Sequence, residues 1–87
     1  MEEFPMIVIH GTKNCQQCKT TQKWLTSKGI HFTYKDLDEH PTLLQEFKSR
    51  GFSSLPVVIV TDEDGKELES FAGFYMGRIM KLEKYAS

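Results

Sequence analysis

Met6-Ile7-Val8-Ile9 is a short, continuous apolar run. A run of this kind, without polar alternation, belongs to a strand buried on both faces of a parallel or mixed sheet. His10-Gly11-Thr12-Lys13-Asn14 breaks it and leads straight into an amphipathic stretch. Asn14 or Cys15 is placed to cap a helix running through Cys18, Thr21, Trp24, Leu25 and Lys28, with Gly29 as its stop. The first elements are therefore strand, turn and helix.

Ile30–Leu37, where Phe32 and Tyr34 alternate with polar residues, predicts a second strand and makes the helix a βαβ crossover. Asp38-Glu39-His40-Pro41 predicts the start of a second helix, with acids ahead of the first turn and proline near its first position. Leu43, Leu44 and Phe47 face inward, and Gly51 ends it. Val57-Val58-Ile59-Val60, between Pro56 and Asp62-Glu63-Asp64-Gly65, is the strongest strand signal in the chain. Asp64-Gly65 marks a hairpin into a strand over Glu67–Phe71. Beyond Ala72-Gly73-Phe74, the spacing of Ile79, Met80 and Leu82 predicts a final helix over Met76–Tyr85. The order is βαβαββα, and with no repeat, low-complexity tract or linker, residues 1–87 read as one domain.

Eleven basic side chains against twelve acidic ones leave a formal charge of −1. No bulk electrostatic pull toward nucleic acid or an anionic membrane follows, so a partner must be recognised locally. The N-terminus Met1-Glu2-Glu3-Phe4-Pro5 is acidic, lacks a basic region and does not read as a signal peptide. No segment reaches transmembrane length.

The two cysteines form Cys15-Gln16-Gln17-Cys18, at the head of the first helix. A thiolate attacks disulfides, and a helix N-terminus stabilises one through unpaired N–H groups and the positive end of the helix dipole. Cys15, at the very start, can stay exposed; Cys18, one turn later, lies on the inward side. The first can attack a substrate disulfide and the second can resolve the mixed disulfide. Two cysteines cannot build the multi-bridge framework of small secreted domains, which points to a reducing cytoplasm. A metal or iron–sulfur carrier is the reading from another class, but a C-x-x-C supplies half of a tetrahedral thiolate site, and His10, His31 and His40 have no ligand-pair spacing. His10 reads as structural, at the end of the first strand. Lys13, two residues before Cys15, is placed to favour the thiolate or to meet a substrate carboxylate.

Three separated motifs resemble the glutaredoxin branch of the thioredoxin superfamily, and within it the NrdH-type redoxins. They are Thr12-Lys13-Asn14-Cys15-Gln16-Gln17-Cys18, Ser54-Leu55-Pro56-Val57-Val58 and Phe71-Ala72-Gly73-Phe74. The resemblance implies an α/β, thioredoxin-like fold with a four-stranded mixed sheet and three helices. It also implies a small dithiol–disulfide carrier with Cys15 and Cys18 catalytic, a cis peptide at Leu55-Pro56, and a substrate groove that includes Leu55, Pro56, Gly73 and Phe74; the chain is expected to be a monomer, with Lys13 beside that groove. No bound cofactor is needed: electrons come from NADPH through thioredoxin reductase, or from glutathione. Client protein disulfides receive them, ribonucleotide reductase being the client implied for the NrdH-type. Glutathione-dependent glutaredoxins follow the late glycine with polar and acidic residues that hold glutathione, whereas Phe74-Tyr75-Met76-Gly77 stands here.

Overall fold

A computed structural model describes residues 5–85. Residues 1–4, most of the Met1–Pro5 segment that does not read as a signal peptide, lie outside the described residues. The strands are β1 (Met6–Gly11), β2 (Thr33–Asp36), β3 (Val57–Thr61) and β4 (Glu67–Ala72); the helices are α1 (Gln16–Ser27), α2 (Pro41–Ser49) and α3 (Met76–Met80). The sheet runs β2-β1-β3-β4, with β1 and β2 parallel and both remaining pairs antiparallel. This is the mixed, thioredoxin-like α/β arrangement that the order βαβαββα predicts.

Strand alternation divides the interior into two layers. Ile7 and Ile9 of β1, Val58 and Val60 of β3 and Phe71 of β4 pack with Leu25 of α1, Ile79 of α3 and Leu82 beyond it. On the opposite face Val57 packs with Leu37 and with Phe47 of α2. The unbroken apolar runs of β1 and β3 are the consequence, since both strands are covered from both sides.

Two elements differ from their sequence-based extents. The second strand is confined to Thr33–Asp36, and both ends of the longer apolar pattern do other work. Ile30 is buried in the α1 layer while its N–H donates to Leu25 O at 3.0 Å, closing the end of the helix. Leu37 opens a short 3-10 turn, Leu37–Glu39, capped by Asp36 Oδ1, which accepts from Asp38 N–H at 2.9 Å. Likewise the final helix is α-helical only over Met76–Met80 and tightens to 3-10 over Lys81–Tyr85. Ile79 and Leu82, three apart, share the buried face; Met80, predicted to face inward, is 53% exposed. Among the described residues no helix is long and apolar enough to cross a membrane.

Candidate active site

Strand register assembles the site at one end of the sheet. β1 ends at Gly11, β3 starts where Val57 pairs with His10, and β4 ends where Ala72 pairs with Val57. Thr12, Pro56 and Gly73 therefore meet at the same rim, and α1 starts from it. Gly73 N–H donates to Pro56 O at 2.9 Å, extending the β3–β4 pairing by one step. Gly73 does so at φ +105°, a backbone conformation that L side chains rarely adopt. Leu55-Pro56 is cis, as the resemblance implies.

Cys15 and Cys18 form a disulfide with Cα atoms 5.2 Å apart. Cys15 is the N-cap of α1: its backbone is extended and its Sγ accepts the Cys18 N–H at 3.0 Å. One orphan donor of the helix is thereby satisfied by sulfur. Exposure separates the pair, since Cys18 is fully buried and Cys15 is half-buried at the surface. That asymmetry is what a disulfide attacked from outside at one sulfur requires. The site supplies two sulfur ligands, and among the described residues no group of three or more His, Cys, Asp or Glu side chains is placed to hold a metal ion.

The other residues named from sequence divide into three sets. Leu55 lines a cleft of 510 Å³ together with Thr12, Leu37, Leu44, Phe47 and Phe52, so the cis-proline segment and the turn before Cys15 border one apolar groove. Gly73 and Phe74 lie at the same end of the sheet; Phe74 packs against the α1 layer, and the Tyr75 side chain stands exposed beside Gly73. Lys13 is exposed in the turn before the helix.

His10 is buried against α2, with its ring edge-on to Phe47 at 4.8 Å between centroids. Burial chiefly, with Lys35 and His40 adding repulsion, holds its pKa down at about 4. The ring is neutral at physiological pH, and its Nδ1 has no hydrogen-bond partner among the described residues.

Two positions near the sulfurs escape a sequence reading. Gly11 has no room for a side chain, because a Cβ there would run into Cys18 Sγ and lie 2.8 Å from Tyr34 Oη. Tyr34 donates from its hydroxyl to Thr12 O at 3.1 Å, and burial, then the Asp36 and Asp38 carboxylates, push its pKa above the usual phenol value. The alternation in Ile30–Leu37 marks Tyr34 as a strand residue. Only the parallel register Ile9↔Tyr34 brings it to the cysteines.

Comparison with known proteins decides the family. The glutaredoxin family model matches residues 6–64, more than half of the chain. The protein belongs to the glutaredoxin family. Within that family it is similar to the glutaredoxin-like protein NrdH of Lactococcus lactis subsp. cremoris, 31% identical over 77 residues that cover 88% of this chain and 99% of the relative. It is also similar to the NrdH of Salmonella typhimurium, at 34% identity over 87% of this chain and 86% of that one. The solved structure of the Escherichia coli NrdH-redoxin superposes with a TM-score of 0.76 at 28% identity, over 88% of this chain and 93% of the other. Family, fold and the Cys15–Cys18 disulfide together make this glutaredoxin-family protein a thiol–disulfide oxidoreductase.

Proposed function

We propose that the protein is an NrdH-like electron carrier of the cytoplasm. Cys15 attacks a client protein disulfide, Cys18 resolves the mixed disulfide, and thioredoxin reductase returns the pair to the dithiol with electrons from NADPH. The observation that carries the cysteine roles is the difference in exposure at the head of α1. A client sulfur can reach half-buried Cys15, whereas Cys18 is sealed beneath it, one turn away, where it can meet only Cys15. The Cys18 N–H that now points at Cys15 Sγ is also the donor that would hold the Cys15 thiolate.

The choice of reductant rests on the rim. A tripeptide with two free carboxylates and an ammonium needs charged partners, and Phe74-Tyr75-Met76-Gly77 offers apolar and aromatic groups instead. Tyr75 is 57% exposed, a feature suited to a protein surface. The E. coli NrdH-redoxin is a glutaredoxin-like protein with a thioredoxin-like activity profile, and similarity to it supports the same reductant here. Ribonucleotide reductase is the client that similarity to NrdH proteins suggests.

One coupled assay tests this: NADPH consumption during insulin disulfide reduction, driven either by thioredoxin reductase or by glutathione with glutathione reductase. The proposal expects rapid turnover in the first arm and at least about tenfold slower turnover in the second. Faster turnover with glutathione would make the protein a glutathione-dependent glutaredoxin.

A further inference from the structure

We infer that the Tyr34 hydroxyl is the hydrogen-bond donor to the Cys18 thiolate that forms when the Cys15–Cys18 disulfide opens. The inference rests on Cys18 being the thiol that leaves and resolves.

Gly11 shows the juxtaposition. The three atoms nearest the place where its Cβ would stand are Cys18 Sγ, Tyr34 Oη and Cys18 Cβ. Sulfur and phenol thus converge on one point over the end of β1, a point kept free by the absence of a side chain. When an incoming thiolate bonds to Cys15 Sγ, the Cys15–Cys18 bond breaks and its electron pair departs on Cys18 Sγ. That sulfur is fully buried. A buried thiolate without a donor is costly, and the Cys18 N–H is already directed at Cys15 Sγ.

Tyr34 can supply the missing hydrogen bond once Cys18 Sγ, released from Cys15, turns toward the phenol and the O–H swings off Thr12 O. In the oxidised protein it donates to Thr12 O at 3.1 Å, and that carbonyl also accepts the Cys15 N–H at 3.3 Å. Turning the hydroxyl toward Cys18 therefore leaves Thr12 O with a partner. No proton changes owner in this step: the phenol keeps its hydrogen, consistent with a pKa that burial and two nearby carboxylates raise. In the opposite direction the same bond holds Cys18 as thiolate for its attack on Cys15 Sγ in the mixed disulfide. The proton it gives up on becoming thiolate goes to solvent.

Reduced full-length Tyr34→Phe, with cysteine Cβ carbons isotopically labelled, provides the test by NMR titration. The expected result is a Cys18 midpoint raised by about one pH unit, about a tenfold loss of thiolate, as the loss of one hydrogen bond to a charged group implies. Single-turnover release of the client thiol should slow to a similar degree, while alkylation of Cys15 at fixed pH stays unchanged. Fluorotyrosine placed at position 34 is a stronger donor of the same shape and should move the midpoint the other way. A Cys18 titration unchanged in either variant overturns the inference, and the fluorotyrosine protein decides alone if Tyr34→Phe does not fold. Failure of Cys18→Ser to accumulate a mixed disulfide would instead remove the resolving role itself, separately from any result at Tyr34.

Discussion

The two faces of the sheet are built to different standards. Beneath α1 and α3, Ile9, Leu25, Val58, Val60, Ile79 and Leu82 are all completely buried. Beneath α2, only Leu37, Phe47 and Val57 form the apolar centre, a histidine shares the space, and the half-buried Leu44, Phe52 and Leu55 border an open cleft. The closed face carries α1 and hence Cys18; the open face carries the groove that reaches Thr12 and Leu55. Close packing lies under the buried sulfur, and an open groove lies beside the half-buried one. A disulfide exchanger needs both, since its own two sulfurs must keep their geometry while a client segment comes and goes.

The largest expected effect breaks the closed face. Leu25→Ala should destabilise the fold by about 3 kcal/mol, because a fully buried leucine leaves a cavity that its neighbours cannot fill. Leu44→Ala, on the open side, should cost only about 1 kcal/mol, since that side chain is half-buried against a cleft. Denaturant midpoints of the two variants measure the contrast; equal losses would mean the faces are equally packed.

The second effect belongs to His10. With a native pKa near 4 against an ordinary 6.5, the unfolded chain takes up a proton over an interval in which the native site stays neutral. The stability conferred by the neutral buried ring is complete above pH 6.5 and is lost as pH falls through about 4, to a total of about 3 kcal/mol. His10→Leu should flatten this part of the stability–pH curve relative to the parent, as read by denaturant titrations between pH 7 and pH 4. An unchanged slope would show that the ring gains its proton as readily in the fold as outside it.

The smallest effect concerns how α2 is tied to the sheet. Arg50, at the end of α2, pairs bidentately with Glu67 of β4 at 2.8 and 2.9 Å. Both side chains are more than a third exposed or close to it, so water screens the pair. Arg50→Ala should lower stability by under about 1 kcal/mol, a loss that high salt largely erases in the parent as well. A larger, salt-independent loss would make this contact a structural tie for the open face.

Much of this arrangement is legible in the residues themselves. Continuous β-branched runs give β1 and β3, and the C-x-x-C at a helix start places the more accessible sulfur ahead of a buried one, although Cys15 is half-buried rather than exposed. The spacing of Ile79 and Leu82 marks the inward face of the last element. Local pattern does not give the limits of β2, because Ile30 and Leu37 are apolar for burial outside the strand, one closing α1 and the other opening a 3-10 turn. It misplaces Met80 for a related reason, as the change from α to 3-10 winding keeps Ile79 and Leu82 together and turns Met80 to solvent. Nor does it pair Gly11 with Tyr34, since their meeting depends on the parallel register of β1 and β2. The cleft is formed between segments distant in sequence, and no single one of them signals it.

Trapping measures the proposed division of labour between the two sulfurs most directly. Cys18→Ser and Cys15→Ser proteins, each mixed with oxidised insulin, are read by intact mass before and after dithiothreitol. A reductant-sensitive adduct on Cys15 should accumulate with Cys18→Ser, and no adduct should form with Cys15→Ser. An adduct on Cys18 in the Cys15→Ser protein, or none in the Cys18→Ser protein, would contradict that division.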